Sequence, residues 1–360
     1  MKKVLLALVA VICITACTKT EYSIEGHIDG ADLNGTTIYL VERIDRVWKA
    51  IDNTVVENDK FTFSVENEEA RVVYLRYEYA GNTNAQQFVL EPGNIKITID
   101  SLENISVKGT KQNKIFNAFN ETEADIFRRK TEASETSEER GLSVEEQAKE
   151  QQAFLDEYKA QIMEYCTKYV NTTIGQHLFV SSCYYLSISE KEAILAKCNN
   201  TTKSNARIQK IIADLEIEKT VAEGTPFVDF TQIDTDDVEL SLSSLVGKTD
   251  YVLVDFWASW CRYCIPTFPK LKTLYDTYRE KIEILGVSLD SNEKEWKDAI
   301  EKHELPWLHV SDLKGWQNEA VSLYAVKGIP HTVLINKEGK IVGHNMSTAE
   351  IEKLLQTKSN

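Results

Sequence analysis

VDFWASWCRYCIPTFP, residues 254–269, decides how this chain is read. Its first residues close a run from Tyr251 to Trp257 that is nearly all apolar, the pattern of a strand covered on both faces. Beyond it Ile265, Phe268, Leu271, Leu274 or Tyr275, and Tyr278 recur at helical spacing, predicting a helix from Cys261 to about Lys281. Cys261 then sits where strand gives way to helix, with its sulfur toward the helix's first unpaired N–H groups. Such a setting, with Arg262 adjacent, lowers a thiol pKa from about 8.5 into a range of roughly 3.5 to 7.5, and only the thiolate attacks a disulfide. Cys264, three residues on and on the same helical face, is placed to resolve a mixed disulfide and is expected to be the more buried of the two.

Two other chemistries fit a C-x-x-C pair. A zinc site needs four ligands, usually with a second cysteine pair at similarly tight spacing, and no other C-x-x-C exists in the chain, so no metal is expected. A purely structural disulfide closing so short a loop removes little chain entropy and adds little stability.

Downstream, strand and helix patterns alternate. A strand over 282–289 (IEILGVSL) precedes a helix near Lys294 to His303, a short strand near Leu308 and a helix around Asn318 to Ala325. A hairpin, HTVLINKEGKIVGH, turns at Lys337-Glu338-Gly339, and a closing helix begins at Ser347. With a strand predicted at Pro226 to Phe230, residues 223–360 form one α/β domain.

Upstream the periods differ. Residues 17–108 carry short alternating runs: Phe61, Phe63 and Val65; Val73, Leu75, Tyr77 and Tyr79; Ile95, Ile97 and Ile99. Period two with turns between predicts an all-β, sandwich-like domain. Residues 109–222 change to helical spacing, with Leu155, Tyr158, Ile162, Tyr165 and Tyr169 on one face and a capping box at Ser143 and Glu146. The acidic stretch between 121 and 152 reads as a solvated helix face or a connection. Cys166, Cys183 and Cys198 lie in this helical region; small buried thiols are the first reading, a Cys183–Cys198 bridge the second.

The chain opens MKKVLLALVAVICITAC: two lysines, then an apolar run too short to span a bilayer. Residues 1–16 read as a secretory signal, and Ile14-Thr15-Ala16-Cys17 resembles a bacterial lipobox, so Cys17 is the expected site of lipidation and the mature chain is lipid-anchored. A formal charge of −15 with no long run of Lys or Arg argues against a nucleic-acid partner. Export also places the remaining cysteines in an oxidising compartment.

VDFWASWC, a C-x-x-C opening a helix, and Gly328-Ile329-Pro330 before a strand together resemble the thioredoxin superfamily, specifically its extracytoplasmic TlpA/ResA-like thiol-disulfide oxidoreductases. The resemblance covers roughly residues 224–358. It implies that Pro330 is cis and lies against the cysteine pair, and that the Ile329 backbone and Trp260 meet the substrate chain. It also implies that Asp255 moves the proton of Cys264; an acid inside an apolar strand is costly unless paired or protonated, which raises its pKa. Two positions depart from the family: Tyr263 where Pro is common, and Thr267 where Glu is common, which leaves acid–base duty to Asp255. His331, after Pro330, is placed near the site by the same mapping.

The resulting expectation is an enzyme of the cell envelope, facing the periplasm. It reduces or exchanges protein disulfides, needs no cofactor, and draws electrons from a membrane donor. Three readings compete: a binding lipoprotein whose β domain docks a partner, a thiol peroxidase, and an oxidase. The peroxidase reading lacks its Thr three residues before the reactive cysteine, where Ala258 stands.

Overall fold

The computed structural model of the chain describes residues 21–357 apart from 31, 45–46, 67–68, 102–103 and 138; the expected leader with Cys17 lies outside them. The chain divides into two compact units, Met1–Tyr185 with Ala193–Lys203, and Leu186–Glu192 with Ser204–Asn360. The architecture is an N-terminal all-β region, a helical middle and a C-terminal α/β region of thioredoxin-like form.

The first unit opens with β1 (Glu21–Asp29), β2 (Thr37–Ile44), β3 (Val47–Val55), β4 (Lys60–Glu66), β5 (Arg71–Tyr79), β6 (Asn82–Leu90), β7 (Gly93–Asp100) and β8 (Ile105–Lys108). They form two four-stranded sheets, in the orders β4-β1-β7-β8 and β3-β2-β5-β6. The alternating residues face one shared core, with Ile24, Phe63 and Ile97 from one sheet against Leu40, Leu75 and Phe88 from the other. Gly26 pairs with Phe61 across β1 and β4, and the Phe61 ring lies over it where any side chain would collide.

Helix α1 (Lys111–Glu135) docks on the edge strand β6 through side chains that replace a strand partner. Asn113 accepts from the Val89 N–H at 2.8 Å and donates to the Val89 carbonyl at 2.7 Å. Buried Glu91 accepts from the N–H groups of Gln112 at 2.6 Å and Asn113 at 3.3 Å, satisfying orphan donors at the helix start. Helix α2 (Val144–Tyr169) starts with the expected Ser143–Glu146 capping box, and α3 (Thr173–Ser182), α4 (Ile188–Leu195), α5 (Asn200–Ser204) and α6 (Ala206–Thr220) follow. Cys166, Cys183 and Cys198 remain thiols, and burial pushes the Cys166 thiol up to about 12, where almost no thiolate forms.

The second unit is built on β9 (Thr231–Asp234), β10 (Glu239–Ser241), β11 (Tyr251–Trp257), β12 (Ile282–Ser288), β13 (Leu308–Ser311), β14 (His331–Asn336) and β15 (Ile341–His344). Their order is β10-β9-β13-β12-β11-β14-β15, parallel through β13, β12 and β11 and antiparallel elsewhere. Helices α7 (Phe268–Tyr278), α8 (Glu293–His303), α9 (Glu319–Leu323) and α10 (Thr348–Thr357) belong to it, as do α6 and the first part of α4. Every residue of β11 is buried, as its apolar run requires.

The strand expected at Pro226 to Phe230 does not form. Only an isolated bridge joins Pro226 to Lys340, because the Tyr324 hydroxyl takes both backbone groups of Val228, accepting from its N–H at 3.1 Å and donating to its carbonyl at 2.6 Å. Among the described residues no helix is long and apolar enough to cross a membrane.

Candidate active site

The C-terminal end of β11 leads through Ala258, Ser259 and Trp260 into the cysteine turn. Cys261 and Cys264 are joined as a disulfide with a Cα–Cα distance of 5.3 Å. The Cys264 N–H points at both the Cys261 carbonyl (3.0 Å) and the Cys261 sulfur (3.1 Å). Cys264 is fully enclosed, whereas Cys261 keeps 4% of its surface.

The helix expected from Cys261 begins later. Residues 262–264 form a turn, Ile265–Thr267 a single 3₁₀ turn, and the α-helix proper starts at Phe268. Two prolines explain the delay. An α-helix running unbroken from Cys261 would put Pro269 in its interior, where the ring clashes with the carbonyl four residues back. Starting at Phe268 puts Pro269 in the first turn, where no N–H is needed. Arg262 is also committed elsewhere: its guanidinium donates to the Tyr263 hydroxyl at 2.6 Å and lies over the Tyr263 ring.

Asp290 braces the approach to the turn. Its carboxylate, completely buried, accepts from the Ser259 N–H at 3.0 Å, the Ser259 hydroxyl at 2.6 Å and the Ser288 hydroxyl at 2.7 Å. This joins the loop before Cys261 to the end of β12. Nothing in the linear sequence marked Asp290, because Ser259 lies 31 positions away and only the fold brings it to the carboxylate.

Asp255 is 2% exposed, and its Oδ2 has no hydrogen-bond partner among the described residues. Burial pushes its carboxyl up to about 7. Asp255 and Trp257 are two apart on β11 and so share a face, and Trp257 packs edge-on against Phe268 of α7 at 5.5 Å. Asp255 therefore points to the side of the sheet that α7 covers. Phe256 points to the other side, against Tyr324 and His331.

The Ile329–Pro330 peptide is cis. Because β14 runs antiparallel to β11 with His331 opposite Phe256, this peptide lies at the same end of the sheet as the cysteine turn. His331 does not share the Asp255 face; its ring nitrogens belong to a hydrogen-bonded chain. Asn345 Nδ2 donates to His331 Nδ1 (3.2 Å), since Asn345 Oδ1 accepts from the Thr332 N–H. His331 Nε2 then donates to His344 Nδ1 (3.2 Å), and His344 Nε2 to the Val221 carbonyl (2.7 Å). Burial, with His344 beside it, holds His331 down at about 4, so this imidazole is neutral.

The rim of the site is aromatic. Trp260 is 52% exposed and Tyr263 64%, and Trp316 stands 6.4 Å from Trp260 between ring centroids. Trp316 escaped the sequence reading because it arrives from a 3₁₀ turn, Gly315–Gln317, far along the chain.

A buried strand ending in a Cys-x-x-Cys turn, a helix behind it and a cis-proline peptide alongside define the thioredoxin class of fold. Residues 248–341 match a family model described as thioredoxin-like, and residues 22–116 match a domain of unknown function (DUF4369). The chain is 31% identical over 152 residues to the thiol-disulfide oxidoreductase ResA of Geobacillus thermodenitrificans, covering 41% of this chain and 84% of that protein. With the ResA of Bacillus cereus it shares 32% identity over 114 residues, covering 31% of this chain and 63%, less than two thirds, of that protein. Among solved structures it is similar to the thioredoxin domain of a thiol-disulfide oxidoreductase from Bacteroides vulgatus, with 34% identity, a TM-score of 0.35, and coverage of 37% of this chain and 98% of that one. The chain belongs to the ResA-like thiol-disulfide oxidoreductases of the thioredoxin superfamily.

Proposed function

We propose that this protein reduces or exchanges protein disulfides in the cell envelope, held there by a lipid on Cys17 and resupplied by a membrane electron donor. The Cys261 thiolate attacks a substrate disulfide; one substrate sulfur leaves as thiolate and the other stays bound to Cys261. Asp255 takes the proton of Cys264, whose thiolate attacks the Cys261 sulfur. The second substrate thiol departs, the substrate has gained two electrons, and the Cys261–Cys264 disulfide holds the oxidation. The donor then returns the pair to dithiol. Trp260, Ile329 and Pro330 line the substrate's approach, and Trp316 extends the aromatic wall.

One observation carries this reading: the bridged pair stands at the end of a buried strand whose only acid, Asp255, has an unpartnered oxygen and a carboxyl near 7. A group with that pKa exchanges protons readily at neutral pH. The same features favour exchange over a binding lipoprotein, which needs no buried base behind its cysteines.

Cys264→Ser tests the proposal by trapping the mixed disulfide. Envelope extracts should yield protein adducts released by dithiothreitol and lost in the Cys261→Ser/Cys264→Ser double variant. No adducts, or adducts that survive loss of Cys261, would overturn it.

A further inference from the structure

Beside Asp255 the sheet carries a second buried titratable group that the exchange mechanism leaves unused. Asp255 of β11 pairs with Gly286 of β12, and Gly286 pairs with His309 of β13. In parallel strands, residues in register point to the same face. Asp255 and His309 thus flank Gly286 on the α7 side of the sheet, where the glycine itself carries no side chain and the Trp257 indole reaches over it.

Gly286 is what lets the imidazole in. A methyl group on residue 286 would overlap His309 Nδ1 and come to 3.0 Å from Trp257 Nε1. His309 leans over the glycine toward β11, its ring 5.4 Å from that of Trp257. It is 4% exposed, and neither ring nitrogen has a hydrogen-bond partner of proper geometry among the described residues, the Leu305 backbone being the one group that approaches it. The same is true of Trp257 Nε1 and Asp255 Oδ2. His309 Nδ1 and Trp257 Nε1 thus meet over the glycine, and Asp255 flanks it in register; Trp296 Nε1 and Trp307 Nε1 of the same core also lack partners among the described residues.

We infer that His309 is a positioning residue for Asp255: a neutral imidazole held over Gly286 makes the pocket around the carboxyl polar enough for it to lose its proton. Burial holds His309 down at about 3, so it stays neutral and acts as a dipole and hydrogen-bonding group. The other groups on this side are accounted for. The Tyr275 hydroxyl of α7 donates to Glu283 of β12 at 3.0 Å, Lys272 of α7 pairs with Glu304, and His303 of α8 packs on Phe268. Cys264, the proposed proton donor, is the remaining titratable neighbour in the turn before α7. The inference rests on the proposed role of Asp255 as base.

The test isolates the resolving step. Full-length protein is loaded at Cys261 with thionitrobenzoate as a mixed disulfide, and release of the chromophore by Cys264 is followed against pH. Wild type should show an inflection that Asp255→Asn removes. His309→Leu, by making the pocket apolar, should move that inflection to higher pH by about one unit, and His309→Gln should restore it. Gly286→Ala, which displaces the imidazole without removing it, should move it in the same direction. If the inflection is unmoved in His309→Leu and Gly286→Ala yet lost in Asp255→Asn, the role of His309 is refuted while Asp255 stands. If it survives Asp255→Asn, the base assignment falls and the inference with it. Should His309→Leu fail to fold, Gly286→Ala and His309→Gln decide: no shift in the first refutes the inference, and a shift in the first with none in the second upholds it.

Discussion

Glu91 and Asp255 are both buried carboxylates, one at the sheet–helix junction of the first unit and one in the central strand of the second. The N-terminus of α1 meets Glu91 with the backbone donors of Gln112 and Asn113 and with the Gln112 side chain at 3.1 Å. Asp255 meets no such set of donors: its Oδ2 has no hydrogen-bond partner among the described residues. Burial is common to both, so burial alone does not mark a reactive acid. The missing hydrogen bonds do: a saturated carboxylate holds structure together, whereas a starved one gains from picking up a proton.

Substitutions can break that contrast. Asp255→Asn should slow the resolving step by about 10²-fold or more, the usual weight of a lost general base, as read by single-turnover release from Cys261. The same change should stabilise the fold at alkaline pH. From the ordinary 3.8 up to about 7, folded Asp255 retains a proton that the unfolded chain releases, so wild-type stability falls as pH rises across that window. Denaturant melts at about pH 8 should therefore favour Asp255→Asn by roughly 3–5 kcal/mol, with no difference near pH 3. Glu91→Gln should do the reverse, losing about 1–3 kcal/mol because the amide keeps one neutral oxygen for the α1 N–H groups and turns an N–H₂ toward the Gln112 side-chain donor, while disulfide exchange is unchanged. Trp316→Ala should have the smallest effect, a rise of about 2- to 5-fold in KM for a protein disulfide with kcat held, in line with the loss of one exposed aromatic contact.

How much of this was legible depended on whether the signal was local. The alternating runs at 61–65, 73–79 and 95–99 carry period two in the sequence itself, and they lie on β4, β5 and β7. The cysteine pair and Asp255 were readable because spacing and polarity stand out against an apolar strand. The helix start was misplaced because the 3.6-residue period runs through Ile265 regardless of Pro266 and Pro269, whose missing N–H groups act on the backbone. Pro226–Phe230 alternates like a strand, yet the Tyr324 hydroxyl, 96 positions later, claims its backbone. His309, Asp290 and Trp316 belong to the same category: each reaches the site only through strand order, which local pattern does not encode.

The chain from Asn345 through His331 and His344 to the Val221 carbonyl donates in one direction throughout, which fixes both imidazoles in the Nε2–H tautomer. Two such protons, each held in a hydrogen bond, should exchange with water more slowly than those of a free imidazole. In a nuclear magnetic resonance spectrum they would stand as two downfield lines, giving the exchange site an internal reporter that needs no label on either cysteine.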